Sequence, residues 1–345
     1  MPVRASRQGY LRPQDPHRAN NPGMNQPSRD LPSLRELRET RDRLRNRVHH
    51  TPLLSSRTLS EKSGARVFLK CENLQRTGSF KVRGALNACL LATESGAVGK
   101  GGMLTYSSGN HGQAVALAAR ILGFQATVVV PESIPRVKEE AISGYGAQIE
   151  RCGQTSEDRY RRSLEIAGET GALIVPPFDH PHTIAGQGSV GLEILEDLPD
   201  ADTILVPVGG GGLIAGISIA SVSRGRRVRV IGVEPETANA MYLSLDAGKT
   251  VTLTSPPNTI ADGLCPVRPG NLTLLACQRH VERIVLIDDP AIRQAQRLLL
   301  ERAKLLVEPS GAAAAAALLK HKTDFKNQTV AIVLSGGNTE LESLL

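Results

Sequence analysis

The sequence contains no tryptophan, and aromatic residues make up only 3% of its 345 residues. Proteins that bind single-stranded nucleic acid stack bases on aromatic side chains placed among basic residues. The sequence has no such block of basic and aromatic residues. Of its net charge of +7, residues 1–30 contribute +3, from five arginines and two aspartates. We therefore predict that nucleic acid is not a partner of this protein.

Long apolar runs, a leader segment and paired cysteines are also missing. The longest apolar stretch, Ala312–Leu319, is far shorter than the roughly 20 residues that span a bilayer. No charged segment followed by an apolar one opens the chain, so we expect a cytoplasmic protein without a membrane partner. The cysteines are odd in number and scattered, which indicates reduced thiols and neither a disulfide framework nor a zinc site. They are Cys71, Cys89, Cys152, Cys265 and Cys277.

The first part of the chain differs in composition from the rest. Residues 1–30 are rich in proline, asparagine, glutamine and arginine, with almost no apolar periodicity. Such a segment buries too little apolar surface to offset the entropy lost on ordering. We predict that it is a disordered basic arm.

From residue 103 onward, short β-rich runs alternate with amphipathic stretches. This alternation is typical of parallel βαβ units, so we predict an α/β architecture of two lobes with a cleft between them. The order of the strands does not follow from the pattern. The strands are predicted at 103–106, 126–130, 147–151 and 172–175 and, in a second set, at 204–208, 228–233, 284–287 and 330–334. The helices that alternate with them are predicted at 110–122, 136–143, 157–169, 213–222, 290–303 and 310–320.

Four consecutive glycines, Gly209 to Gly212, connect a buried strand to a helix that begins at Leu213. A helix N-terminus that follows a glycine loop binds anions, because its backbone N–H groups and its dipole both favour negative charge. The alternative is a flexible turn. Four glycines in a row cost much chain entropy, which favours a phosphate-binding loop.

Lys81 lies in the segment 77–85, Thr-Gly-Ser-Phe-Lys-Val-Arg-Gly-Ala, directly before a predicted helix. Most lysines are solvated surface residues, but the neighbours here are mostly small or apolar. Partial desolvation lowers the pKa of an amine, which a lysine needs in order to bond to an aldehyde cofactor. Lys81 is therefore the candidate for such a bond.

The segment 107–112, Ser-Ser-Gly-Asn-His-Gly, lies between a predicted strand and a predicted helix. Its hydroxyls, its amide and the N–H groups of a helix start suit a carboxylate ligand. An ordinary helix N-cap explains the same residues equally well. A further segment, Ser-Gly-Gly-Asn at 335–338, follows the last predicted strand.

Taken together and in this order, these four segments resemble the tryptophan-synthase-like class of pyridoxal phosphate enzymes, known as fold type II. Within that class, residues 31–345 are most similar to the short threonine/serine dehydratase and serine racemase family. The resemblance implies a two-lobed fold of three-layer parallel sheets like the tryptophan synthase β subunit. It also implies a large domain of residues 31–101 plus 180–345 and a small inserted domain of residues 102–179.

The resemblance assigns roles to the residues of these segments. Lys81 bonds to pyridoxal 5'-phosphate and later moves the Cα proton, and Ser108 lies where racemising relatives place a second acid–base residue. The resemblance also implies a substrate-facing arginine, Arg159. Phe80 would pack beside the cofactor ring, Asn110 would bind its 3-hydroxyl and Ser335 would bind its ring nitrogen. The cofactor phosphate would be bound by Gly209, Gly210, Gly211 and Gly212. The loop that binds the substrate carboxylate would contain Ser107, Ser108 and His111.

The metal site of the family is incomplete in this sequence. Relatives often hold a divalent cation with a glutamate and an acidic residue six positions later. Glu234 matches the first position, but the second is Ala240. A divalent cation is therefore a doubtful second cofactor, with Glu234 as its one candidate ligand.

The activity implied by the resemblance is dehydration and deamination of L-threonine or L-serine to the 2-oxo acid and ammonia. Serine racemisation and dehydration of 3-hydroxyaspartate or a phenylserine remain alternatives within the class. A ligand-binding protein that kept only the fold is the alternative from another class. Retention of Lys81, Asn110, the glycine run and Ser335 argues against it. The family also implies a homo-oligomer, either a dimer or a tetramer.

Overall fold

The computed structural model describes residues 30–225 and 228–340, which contain two β-sheets. The predicted arm lies outside these residues, apart from residue 30. The strands are β1 (Leu53–Ser55), β2 (Arg66–Cys71), β3 (Met103–Thr105), β4 (Ala126–Val130), β5 (Gln148–Arg151), β6 (Leu173–Ile174), β7 (Thr203–Pro207), β8 (Arg229–Pro235), β9 (Arg283–Ile287) and β10 (Thr329–Leu334). One sheet has the order β1-β2-β10-β7-β8-β9, and the other has the order β5-β4-β3-β6.

Helices cover these sheets and connect their strands. They are α1 (Leu34–Leu44), α2 (Arg57–Ser63), α3 (Lys81–Glu94), α4 (Asn110–Leu122), α5 (Arg136–Gly144), α6 (Ser156–Thr170), α7 (Pro181–Asp197), α8 (Gly212–Ser221), α9 (Ala240–Ala247), α10 (Asn271–His280), α11 (Asp289–Leu298) and α12 (Pro309–Lys320). Within the described residues, none of them combines the length and apolar character needed to cross a membrane.

In the six-stranded sheet, every neighbouring pair is parallel except β1 with β2. β10 lies at its centre, where Val330 is opposite Val67 of β2 and Thr203 of β7. All residues of β10 are buried, as expected for a parallel strand covered by helices on both faces. Because β7 and β10 are parallel neighbours, the glycine run after β7 and Ser335 after β10 leave the same edge of the sheet.

The predicted alternation of strands and helices in two sets is confirmed, with one clear difference at a helix end. The helix predicted at 290–303 is α-helical only to Leu298 and then continues as a π-helical turn, Leu299–Ala303. Lys304 ends this turn in the left-handed conformation, with φ of 60°. The four-stranded sheet is formed by strands between residues 103 and 174, and the inserted domain at 102–179 stays a prediction.

Helices α3, α7 and α8 approach one another through glycines. A Cβ atom on Gly186 of α7 would lie 2.4 Å from Cα of Gly84 on α3. On the other side of α7, a Cβ atom on Gly216 of α8 would lie 2.4 Å from the backbone nitrogen of Gly188. Side chains at these positions would push the helices apart, so the glycines set the distance between the start of α3 and the start of α8.

A buried ion cluster joins β2, α3 and α7. Arg83 of α3 donates to Glu72 at 2.8 Å and to Glu193 of α7 at 2.6 Å, and Lys70 of β2 lies 2.7 Å from Glu193. The side chains of Lys70, Glu72 and Arg83 are 0% exposed, so each charge depends on its partners for stabilisation. Burial acts to raise the pKa of Glu193, but Arg83 and Lys70 outweigh it and hold that pKa below its ordinary value.

We predict that Glu193→Ala destabilises the protein by about 3–5 kcal/mol, because Lys70 loses the carboxylate 2.7 Å away and Arg83 is left with Glu72 as its one carboxylate partner. Glu196→Ala is the matched control on the same helix. Its side chain is 61% exposed and pairs with Arg41 at 3.0 Å, so we expect a loss of about 0–1 kcal/mol. Urea denaturation followed by far-ultraviolet circular dichroism measures both. Equal losses in the two variants would show that the cluster does not hold α3 and α7 together.

Candidate active site

Lys81 is the first residue of α3, and it is half-buried. The amine donates to the backbone oxygen of Pro177 at 2.9 Å and lies 5.3 Å from the ring centroid of Phe80. Burial lowers the pKa of Lys81 to about 8, although the charge of Glu308 acts in the opposite direction. A larger neutral fraction of the amine is therefore present near neutral pH than in an exposed lysine, which is the form that adds to an aldehyde.

A tight turn before Lys81 brings the segment 77–85 against the segment 335–338. Thr77 and Gly78 both have left-handed backbone conformations, with φ of 62° and 68°. Ser79 then pairs with Gly336, and the Phe80 amide donates to the Ser335 carbonyl at 3.1 Å. Ser335 is buried, with 4% of its surface exposed. The first and the last of the four segments are thus in direct contact.

The glycine run forms an enclosed loop at the N-terminus of α8. Gly211 has φ of 92°, and a Cβ atom there would lie 2.6 Å from Cε of Met241 and 2.8 Å from Oγ1 of Thr273. Thr273 fixes the loop by donating to the Gly210 carbonyl at 2.7 Å. In residues 30–225 and 228–340, the amides of the four glycines find no acceptor. These N–H groups at a helix start suit a phosphate.

Asn110 is the first residue of α4 and is held on both sides of its amide. Its Nδ2 donates to the carboxylate of Glu308 at 2.8 Å, and its Oδ1 accepts from Nδ2 of Asn338 at 2.7 Å. The structure therefore brings together the segments around 107–112 and 335–338, with Glu308 between them.

Glu308 is a residue of this site that sequence reasoning missed. It is 4% exposed, and burial raises its pKa to about 8. The signal that could have identified it is an acidic residue between apolar Val307 and Pro309, where a predicted helix starts. Charged side chains are seldom buried without a partner, so a glutamate in such a place calls for an explanation.

His111 lies beside Asn110 but does not offer a proton to a ligand. Its Nε2 donates to the Val175 carbonyl at 3.0 Å, which leaves Nδ1 as an unprotonated nitrogen without a hydrogen-bond partner. Burial, with a contribution from the charge of Lys81, lowers the pKa of His111 to about 3. A carboxylate at this loop would therefore bind to the backbone amides and to the half-buried hydroxyls of Ser107 and Ser108.

Arg159 of α6 is half-buried next to the same loop. Its Nε donates to the Tyr106 carbonyl at 3.3 Å, directly before Ser107, and it also donates to Ser156 at 3.1 Å. Burial lowers the pKa of Arg159 from its usual value. The guanidinium lies at the edge of the loop, and its contact with a substrate stays a prediction.

Glu234 lies at the end of β8, away from these groups, and serves as a helix cap. Its two carboxylate oxygens accept the amides of Met241 at 2.9 Å and Tyr242 at 2.8 Å, at the start of α9. Burial raises the pKa of Glu234 to about 8. The described residues contain no group of three or more side chains suited to hold a metal ion. Both oxygens of Glu234 thus cap α9, and its role as a metal ligand stays a prediction.

The group predicted for this site combines an aldehyde, a ring nitrogen and a phosphate. The amides of the glycine loop have no acceptor among the described residues, Lys81 offers an amine of lowered pKa, and Ser335 adds a buried hydroxyl residue. Gly210 and Gly212 lie against Phe178, and Gly211 lies against Met241 and Thr273, so a side chain on the loop would collide with a neighbour. The residues present therefore fit pyridoxal phosphate.

Comparison with known proteins agrees with this fit. Residues 44–336 match the family described as pyridoxal-phosphate dependent enzyme. L-threonine ammonia-lyase of Thermotoga maritima is 44% identical over 90% of this chain and 77% of its own length. L-threo-3-hydroxyaspartate ammonia-lyase of Saccharomyces cerevisiae is 38% identical over 90% of this chain and 95% of its own length. The structure of maize serine racemase superposes with a TM-score of 0.87 and 38% identity, covering 91% of this chain and 96% of the other. The predicted fold class is thereby confirmed.

We predict that Gly211→Ala weakens the binding of pyridoxal phosphate by at least roughly tenfold, because a methyl group there displaces Met241 and Thr273 and reshapes the loop. Gly248→Ala is the matched control, since Gly248 is also left-handed, with φ of 67°, and has open space around it. Equilibrium dialysis with the absorbance of the cofactor measures both affinities. Equal affinities in the two variants would mean that the loop does not bind the phosphate.

Proposed function

This chain belongs to the family of pyridoxal-phosphate-dependent enzymes, and we propose that it is an ammonia-lyase that converts L-threonine or L-serine to the 2-oxo acid and ammonia. The observation that carries the proposal is the half-buried Lys81 amine with its lowered pKa, in a chain 44% identical to an L-threonine ammonia-lyase. When bound, pyridoxal phosphate withdraws electrons from the amino acid attached to it, which acidifies the Cα proton.

Five parts of the site would hold the cofactor. Lys81 would bond to it, the amides of the glycine run and the start of α8 would bind its phosphate, and Asn110 would donate to its 3-hydroxyl oxygen. Ser335 would contact the ring nitrogen with a neutral hydroxyl, and Phe80 would pack beside the ring. A hydroxyl cannot stabilise a protonated ring nitrogen as a carboxylate would. Loss of the β-hydroxyl would therefore be favoured over return of a proton to Cα.

Lys81 is also the base in the proposed reaction. Its free amine would remove the Cα proton of the bound substrate. A pKa of about 8 suits this task, because a base works best when its pKa is near the working pH. The amides of loop 107–112, with the hydroxyls of Ser107 and Ser108, would bind the substrate carboxylate at the start of α4.

Dehydration of 3-hydroxyaspartate is a second candidate function, and one observation favours it. The half-buried Arg159 lies beside the carboxylate loop, where a guanidinium could pair with a second carboxylate on the substrate. A relative at 38% identity is named for that substrate. Racemisation is a third candidate, supported by the half-buried Ser108 and by the similarity to maize serine racemase.

Location and assembly belong to the same proposal. All five cysteines are free thiols, and burial raises the pKa of Cys71 and of Cys89 to about 12, which keeps them protonated. Free thiols are typical of reducing compartments, which supports a cytoplasmic enzyme. We further propose a homo-oligomer and a small amino acid as its ligand, with no nucleic acid and no membrane.

A 2-oxo acid assay across threonine, serine, 3-hydroxyaspartate and phenylserine, with both enantiomers of each, tests the function. We expect oxo acid and ammonia from the L-enantiomers of threonine and serine. Chiral chromatography of the L-serine reaction should show D-serine as a minor product, because Ser335 favours elimination.

Three outcomes would contradict this proposal. D-serine that accumulates faster than pyruvate would establish the racemase instead. A clear preference for 3-hydroxyaspartate, lost in Arg159→Met, would establish the second candidate. No turnover of any amino acid by a yellow, cofactor-loaded protein would favour a binding protein.

A further inference from the structure

Glu308 is a buried carboxylate without a cation next to it. It accepts from Asn110 Nδ2 at 2.8 and 3.1 Å and from the backbone amide of Asn338. Gly336 makes room for it, since a Cβ atom at 336 would lie 2.3 Å from Oε1 of Glu308. No lysine or arginine of the described residues forms an ion pair with it, in contrast to the buried glutamates of the cluster around Arg83. Burying a carboxyl group costs more free energy than burying a neutral side chain of similar size. The stability of the fold therefore does not explain why a glutamate is present here.

The charges that face Glu308 come from three elements. Lys81 of α3 lies on one side, and the charge of Glu308 acts to raise the pKa of that amine. Lys138 of α5 and Asp262 lie farther out and form an ion pair with each other at 2.6 Å. Asp262 raises the pKa of Glu308 and Lys138 lowers it.

Glu308 and Asn338 together fix which way the Asn110 amide points. Nδ2 of Asn338 donates its two hydrogens to the Thr77 carbonyl and to Oδ1 of Asn110. Asn110 therefore presents its NH2 group to the carboxyl group of Glu308. One N–H of Asn110 serves Glu308, and the second remains for a ligand oxygen. A flipped Asn110 would present an acceptor where the 3-hydroxyl oxygen of the cofactor needs a donor.

We propose that Glu308 is a positioning residue that holds Asn110 with an N–H toward the 3-hydroxyl oxygen of pyridoxal phosphate and, when ionised, adds a buried negative charge that acts on Lys81. The inference rests on the proposed function only in that the site binds this cofactor. Two consequences follow that a purely structural glutamate would not have. Removal of the charge makes the Lys81 amine neutral at lower pH, and loss of the fixed Asn110 weakens cofactor binding.

The test compares Glu308→Gln, which keeps the shape and removes the charge, with Glu308→Asp, which keeps the charge. Glu301→Gln is the control, because it removes the same charge from an exposed position seven residues earlier. Full-length protein freed of its cofactor is mixed with pyridoxal phosphate, and the rate of covalent attachment is followed by absorbance from pH 6 to 10. The dissociation constant at pH 8 is measured by equilibrium dialysis.

For wild type and Glu301→Gln we expect the attachment rate to rise with pH around a midpoint near 8, as the amine loses its proton. In Glu308→Gln the midpoint should fall by about 0.5 pH unit or more, while the dissociation constant rises roughly tenfold. Glu308→Asp should keep the midpoint of wild type. Faster attachment at low pH together with weaker retention is the signature of the proposed role.

An unchanged midpoint and affinity in Glu308→Gln would overturn the proposal. If that variant does not fold, as judged by circular dichroism, the midpoint measured for Glu308→Asp tests the proposal by itself. A midpoint shifted by more than about 0.5 pH unit in Glu308→Asp would then contradict the role of the charge, and an unchanged one would support it. These measurements contain no amino acid substrate, so a failure of the ammonia-lyase assay would leave their outcome untouched.

Discussion

The position of Lys81 depends on the buried ion cluster of Lys70, Glu72, Arg83 and Glu193. Arg83 follows Lys81 by two residues in the first turn of α3, and carboxylates from two other elements hold its guanidinium. This arrangement fixes both the rotation of α3 about its axis and its displacement along it. Burying these charges without their partners would destabilise the protein strongly. The cluster therefore favours the one arrangement of β2, α3 and α7 in which all four side chains are paired.

The other parts of the site follow from this arrangement. Contacts between glycines set the distance from α3 to α7 and from α7 to α8, and α8 begins with the phosphate-binding loop. The adjacent parallel strands β7 and β10 deliver that loop and Ser335 to the same edge of the sheet. The amine, the anion site and the hydroxyl thus come from separate segments, each placed by backbone packing. Asn110 and Glu308 complete the site from α4 and from the start of α12.

Local patterns in the sequence were sufficient to predict the glycine loop, the desolvated Lys81 and the alternation of strands and helices. Each of these depends on neighbours close in the chain. Helix α7 was missed because its residues are buried on nearly all sides, so it lacks an amphipathic period. The strand order, the contact of Glu308 with Asn110 and the capping of α9 by Glu234 are long-range features. Glu308 lies 198 residues from Asn110, and no local pattern predicts that contact.

The central claim is that Lys81 is the amine that bonds to the cofactor, and one chemical measurement tests it most directly. Borohydride reduction of the yellow holoenzyme fixes the pyridoxyl group on the lysine that carries it, and peptide mapping then identifies that lysine. The account predicts modification of Lys81 and of no other lysine. A pyridoxyl group on Lys70, which is engaged with Glu193 in the ion cluster, or on an exposed lysine would contradict the account.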